Sequence, residues 1–124
     1  VDDDNERSRR VIGCAIEVHR HLGPGLLESA YEDCLCHEMT LMGIAHERQV
    51  SLPVTYKGLA VAAGYRVDVI VEQRLILEIK ASERTLPVHE QQILTYLRLS
   101  GLRFGLLLNF NQAVLREGIR RITN

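Results

Sequence analysis

Two runs of alternating residues, Tyr65–Val71 and Leu75–Lys80, constrain this chain more than anything else in it. The odd positions are Tyr65, Val67, Val69, Val71, Leu75, Leu77 and Ile79, all apolar. The even positions are Arg66, Asp68, Ile70, Ile76, Glu78 and Lys80. Side chains alternate across a strand, so each set forms one face. If the two strands pair, odd must meet odd, or the apolar face is split. A hairpin loop of three or five residues centred on Gln73 meets that demand, whereas a two-residue loop breaks it. The pairing sets Asp68 opposite Glu78 and Arg66 opposite Lys80, with directly opposed Cβ atoms about 5 Å apart.

Two carboxylates facing each other destabilise a sheet unless something compensates. One answer is a divalent cation, because paired carboxylates with backbone carbonyl and water suit magnesium or manganese. Lys80 would then hold or deprotonate an attacking water, or meet a phosphate charge. The other answer is a salt-bridged polar face in which Arg66 and Lys80 neutralise Asp68 and Glu78. The hairpin alone is compatible with both.

The remaining sequence predicts helices over about 7–22 and 27–42, each with apolar residues at helical spacing and a glycine beyond its end. A strand over 49–56 carries Pro53, which suits a sheet edge, and the strand that holds Tyr65–Val71 is expected to start at Ala60. Pro87 opens a third helix to about Leu99, with Gly101 just beyond. The apolar run 103–110 reads as a buried central strand, and 118–123 as a short last one. This order gives an α/β fold with a mixed sheet covered by helices. The 124 residues make one domain, expected over 7–124 behind a disordered acidic tail at 1–6.

A net charge of −1 argues against a protein that coats DNA nonspecifically, though not against a local arginine patch. No apolar run is long enough for a transmembrane helix, and the N-terminus does not read as a secretory signal. Three cysteines without framework spacing point to a reducing, cytoplasmic setting. Cys34 and Cys36 stand about 200° apart on a helix, so they read as buried thiols rather than as a metal pair. His19 and His21, at the end of the first helix, read as C-terminal caps in preference to phosphate or metal contacts. Glu28 lies in the first turn of the second helix and shares a face with Tyr31. His89, Gln92 and Tyr96 share a polar face of the third helix. Glutamate, glutamine and tyrosine could converge on the hairpin from these flanking helices.

The run Gly25-Leu26-Leu27-Glu28-Ser29-Ala30-Tyr31 resembles the signature of the small prokaryotic GxxExxY proteins. Glu17-Val18-His19, Leu22 to Gly25, Gly64 to Asp68, His89-Glu90 and Gly105 to Phe110 are similar too, so the likeness covers about residues 10 to 112. That family is assigned to the PD-(D/E)XK nuclease-like superfamily. The resemblance implies a restriction-endonuclease-like αβββαβ core, here with an extra N-terminal helix. It implies that Asp68 and Glu78 are metal ligands and that Lys80 is the catalytic lysine of a Glu78-Ile79-Lys80 element. It likens Glu28 to the glutamate of the first core helix. It likens Gln92 and Tyr96 to the QxxxY element of the RecB-like branch, which lines the site. Val67 stands where many members carry a proline.

The resulting expectation is a Mg2+- or Mn2+-dependent nuclease acting on nucleic acid, DNA first. Glu28, Asp68, Glu78 and the Ile79 carbonyl would hold metal, and Lys80 would activate water. Gln92 and Tyr96 would shape the site, and Tyr31, Arg66 and His89 would contact substrate. A core this small has little surface for gripping DNA, which suggests a homodimer. The alternative is a catalytically silent module on the same fold that binds nucleic acid or a protein.

Overall fold

The computed structural model describes residues 3–124, all of them but Ala63 with their side chains. Helices α1 (Asp4–Leu22) and α2 (Glu28–Leu41) precede strands β1 (His46–Tyr56), β2 (Leu59–Val71) and β3 (Leu75–Lys80). Helix α3 (Pro87–Ser100), β4 (Phe104–Asn109), a 3-10 turn (Leu115–Gly118) and β5 (Ile119–Thr123) complete the chain. The expected order therefore stands, with helix α1 and strand β1 each starting three residues earlier than expected. Helix α1 starts at Asp4 rather than at residue 7, because the Asp3 carboxylate accepts the Glu6 N–H and caps it. Of the expected disordered tail, Asp4 to Glu6 are helical, and Val1 and Asp2 lie outside the described residues.

The five strands lie in sequence order, β1-β2-β3-β4-β5. All neighbours are antiparallel except β3 and β4, which are parallel and joined through α3. Strand β1 is an edge, as Pro53 suggested, and the register shifts between Leu52 and Val54. Helices α1 and α2 cover one face of the sheet. Their core joins Val11, Tyr31 and Leu35 to Val69, Leu77, Ile79, Leu106 and Leu108. On the other face α3 packs Ile93, Tyr96 and Leu97 against Ile70, Ile76 and Leu107. The parity of β3 and β4 thus divides their side chains between two cores.

The β2–β3 register is Val69↔Leu77, Ile70↔Ile76 and Val71↔Leu75, the pairing centred on Gln73. Its loop holds Glu72 and Gln73 at φ of 50° and 57°, a region that normally favours glycine. Contacts from outside the hairpin offset that strain. The Glu72 carboxylate accepts from Arg7 Nε at 2.8 Å and Arg10 at 2.9 Å, and its N–H donates to the Ala45 carbonyl. Burial pushes the Glu72 pKa up, but the two arginines outweigh it and hold the carboxyl below its usual range.

Strand β2 does not keep one parity along its length. The β1–β2 ladder passes from Arg48↔Val69 to Val50↔Val67, skipping Gln49 and Asp68, and Gln49 is left-handed at φ 51°. Beyond that point Val67 packs with Ile93 and Tyr96 on the α3 side. The expected single apolar face from Tyr65 to Ile79 is therefore corrected: it runs only from Val69 onward.

Candidate active site

The site lies where β2 and β3 part. Their backbone ladder ends at Val69↔Leu77, and two carboxylates then take its place. The Asp68 N–H donates to Glu78 Oε1 at 3.2 Å, and the Ile79 N–H donates to Asp68 Oδ2 at 2.8 Å. The strand alternation brings these two side chains together, and their mutual backbone bonds fix them there. Glu78 is 3% exposed and Asp68 is half-buried.

Two carboxyls in contact cannot both ionise easily. Burial, and then the Asp68 charge, push the Glu78 pKa up to about 8. Glu78 thus keeps its proton at neutral pH and donates it to Asp68. Burial raises Asp68 as well, against the bond from the Ile79 N–H, and the Glu32 charge adds to the rise.

Lys80 follows on the same strand end. Its Nζ donates to Gln92 Oε1 at 3.4 Å, and Gln92 Nε2 donates to Tyr96 Oη at 3.0 Å. The four-residue spacing stacks Gln92 and Tyr96 on one face of α3, and their bond fixes which way the amide points. Burial raises the Tyr96 pKa, and the nearby Glu78 charge raises it further. A cleft of about 580 Å³ opens beside these groups, and Tyr65, Lys80, Val88, His89, Gln92 and Tyr96 line it. His89 Nδ1 accepts the Leu86 N–H at the start of α3, which leaves the proton of a neutral ring on Nε2.

Several expected residues sit elsewhere. Glu28 is exposed and accepts the Ala81 N–H at 3.4 Å, so it reaches the residue after Lys80. Among the described residues it is not gathered with Asp68 and Glu78 into a group of three metal-ligating side chains. Tyr31 is corrected as a substrate contact. It is fully buried, stacks on Phe110 at 4.5 Å, and its hydroxyl bonds the Gly23 carbonyl and the Leu26 N–H. It clamps the α1–α2 loop and offers nothing to a ligand. Arg66 is placed differently from the expectation: beyond Asp68 Tyr65 lines the cleft, while Arg66 is exposed outside its lining. Of the terminal histidines, His21 bonds its own helix at the Glu17 carbonyl, whereas His19 bridges to the Gln112 carbonyl at 2.8 Å.

Glu32 escaped the sequence reading. It lies one turn beyond Glu28, is 7% exposed, and accepts from Arg48 Nε and Gln49 Nε2 at 3.0 Å each. Nothing near it in sequence marks it, because its partners come from β1. Asn109 was quoted only as part of a likeness. Fully buried, it bonds Ser82 through both its oxygen and its nitrogen and so ties down the segment after Lys80.

No helix among the described residues is long and apolar enough to cross a membrane. Comparison with curated proteins and with solved structures finds no match. Comparison with protein families matches residues 5–122, nearly the whole domain, to the PD-(D/E)XK nuclease superfamily. The carboxylate pair, the lysine two residues after the second carboxylate and the mixed sheet agree with that match, and the chain belongs to the PD-(D/E)XK nuclease superfamily.

Proposed function

We propose that this protein is a metal-dependent phosphodiesterase acting on nucleic acid, and that it falls in the GxxExxY-like, QxxxY-bearing part of its superfamily. The observation that carries the reading is the Asp68–Glu78 pair with Lys80 beside it. A carboxyl pair that must retain a proton lacks positive charge, and magnesium or manganese supplies it with oxygen ligands. Asp68 and Glu78 would hold the ion, with the Ile79 carbonyl and, from the rim, Glu28. A bound ion polarises a phosphoryl oxygen and lowers the pKa of water.

The chain's own groups do the rest. Gln92, braced by Tyr96, orients the Lys80 ammonium, which holds the attacking water and meets the charge that develops on the phosphate. The fixed carboxylates leave few arrangements to search before reaction. DNA is the first substrate to try. The unpaired Cys14, Cys34 and Cys36 fit a reducing, cytoplasmic setting.

The test is a cleavage panel of single-stranded, duplex and branched DNA, and RNA, with magnesium or manganese. Lys80→Ala and Asp68→Ala should each lower the rate about 10²- to 10⁴-fold, the range of acid–base and electrostatic contributions. Their circular dichroism should remain that of a folded protein. Activity that survives both substitutions defeats the proposal. One observation favours a silent module instead: Asp68 and Glu78 each already accept a backbone N–H. In that case Asp68→Asn would relieve repulsion, and divalent ions would not raise the melting temperature.

A further inference from the structure

Tyr65 has no part in the carboxylate pair or in the Lys80–Gln92–Tyr96 chain, yet it stands at the same cleft. It is 40% exposed, and its hydroxyl makes no hydrogen bond among the described residues. The β1–β2 ladder lacks the Gln49–Asp68 pair, where Gln49 is left-handed, and beyond that gap Tyr65, rather than Arg66, lines the cleft. The start of α3 lines the same cleft, where Val88 is 63% exposed, with His89 and Gln92. Exposed apolar surface therefore lines the same cleft as the Lys80 side chain. The cavity, about 580 Å³, falls in the range of small-ligand pockets.

A flat, half-exposed aromatic ring beside a cation suits a nucleobase whose own phosphate meets that cation. A base inside a duplex cannot offer its face, because its neighbours cover both sides. We infer that Tyr65 is a stacking platform for an unpaired nucleobase next to the scissile phosphate. The preferred substrate is then single-stranded nucleic acid, or a duplex opened at that position. This rests on the reading of the site given above and adds the strandedness of its substrate. Tyr65 is a binding residue in this scheme and moves no proton.

The experiment measures binding of fluorescein-labelled 12-mers by anisotropy, in chelator so that the strand stays uncut and Lys80 is kept. The arms are single-stranded DNA, single-stranded RNA and the matched DNA duplex. Tyr65→Ala should weaken single-strand binding about 5- to 150-fold, the range of one lost base stack. Tyr65→Phe and Tyr65→Trp should keep it, since only the ring is needed. The duplex should bind more weakly than either single strand and should be insensitive to Tyr65. Tyr56→Ala removes another exposed aromatic, at the β1–β2 turn, and should change nothing. Equal loss in Tyr56→Ala and Tyr65→Ala overturns the inference and assigns grip to the whole ribbon. So does unchanged binding in Tyr65→Ala while wild-type protein still cleaves, and that result spares the nuclease reading. No binding and no cleavage by wild-type protein overturns both.

Discussion

Glu78 carries the most consequential single proton in the molecule. In the unfolded chain it titrates near the ordinary carboxylate value of about 4.5, whereas in the fold it is held up to about 8. Between those values the native state binds the extra proton, so stability should fall as pH rises. The contribution is fully present below about 4.5 and is lost as pH passes through about 8. Asp68 is raised for the same leading reason, burial, and bends the curve the same way. Glu72 acts oppositely and at lower pH: its arginine pairs stabilise above the unfolded carboxylate value and are lost as acid protonates it. In chelator, urea midpoints should decline from pH 5 to pH 9, and Glu78→Gln should flatten that decline. An equally steep decline in Glu78→Gln would assign the proton to another group. Asp68, Glu78 and Lys80 were legible because alternation is local, and a strand with polar residues at alternate positions declares a face. Glu32 was not legible, since Arg48 and Gln49 reach it from another element. Tyr31 misled for a related reason. Its spacing from Glu28 is that of a shared helix face, but Phe110 and the Gly23 carbonyl claim it for the core.

At the scale of elements, the sheet and helix α3 meet more closely than side chains normally allow. A Cβ placed on Gly105 of β4 would lie 2.6 Å from Ile93 Cγ2 of α3. That methyl sits on a β-branched carbon and has little freedom to swing aside. Gly105→Ala should therefore lift α3 off the strand and cost about 1–3 kcal/mol, the range for overpacking a dense core. Because α3 presents Gln92 and Tyr96 to Lys80, cleavage should fall along with stability. A urea midpoint unchanged from wild type would show that the helix docks more loosely than the distance implies. The elements themselves were readable from glycines, prolines and periodicity, and the β2–β3 register followed from parity alone. The change of parity in β2 at Asp68 was not readable, because neither the missing ladder pair there nor the left-handed Gln49 opposite it leaves a mark in sequence. That one irregularity exchanged Arg66 for Tyr65 at the cleft.

On the scale of the whole molecule, β1 and β2 run on beyond the sheet. Past Asp68, β2 pairs with β1 alone, out to the turn at Lys57 and Gly58, where Tyr56 and Leu59 stand exposed. A two-stranded ribbon in water is only marginally stable by itself. Amide hydrogen exchange should show protection falling from Val69 toward Tyr56, with β3 and β4 exchanging last. Core-like protection at the tip would mean that a second copy of the chain covers it, and light scattering would then report a dimer. The strand bounds expected from the sequence, 60–71 beside 75–80, already left β2 longer than its partner, and the structure keeps that difference. The distribution of the site along the chain has a further consequence. Every side chain of the proposed cleft chemistry except Glu28 lies between Tyr65 and Tyr96, in one hairpin and the helix that follows it. Contacts made between chain neighbours close quickly, because little loop entropy is lost in forming them. During synthesis the reactive groups therefore emerge together, before β4 and β5 exist to bury α3. What must be chemically exact is written in one contiguous stretch, and the C-terminal strands arrive afterwards to make it rigid.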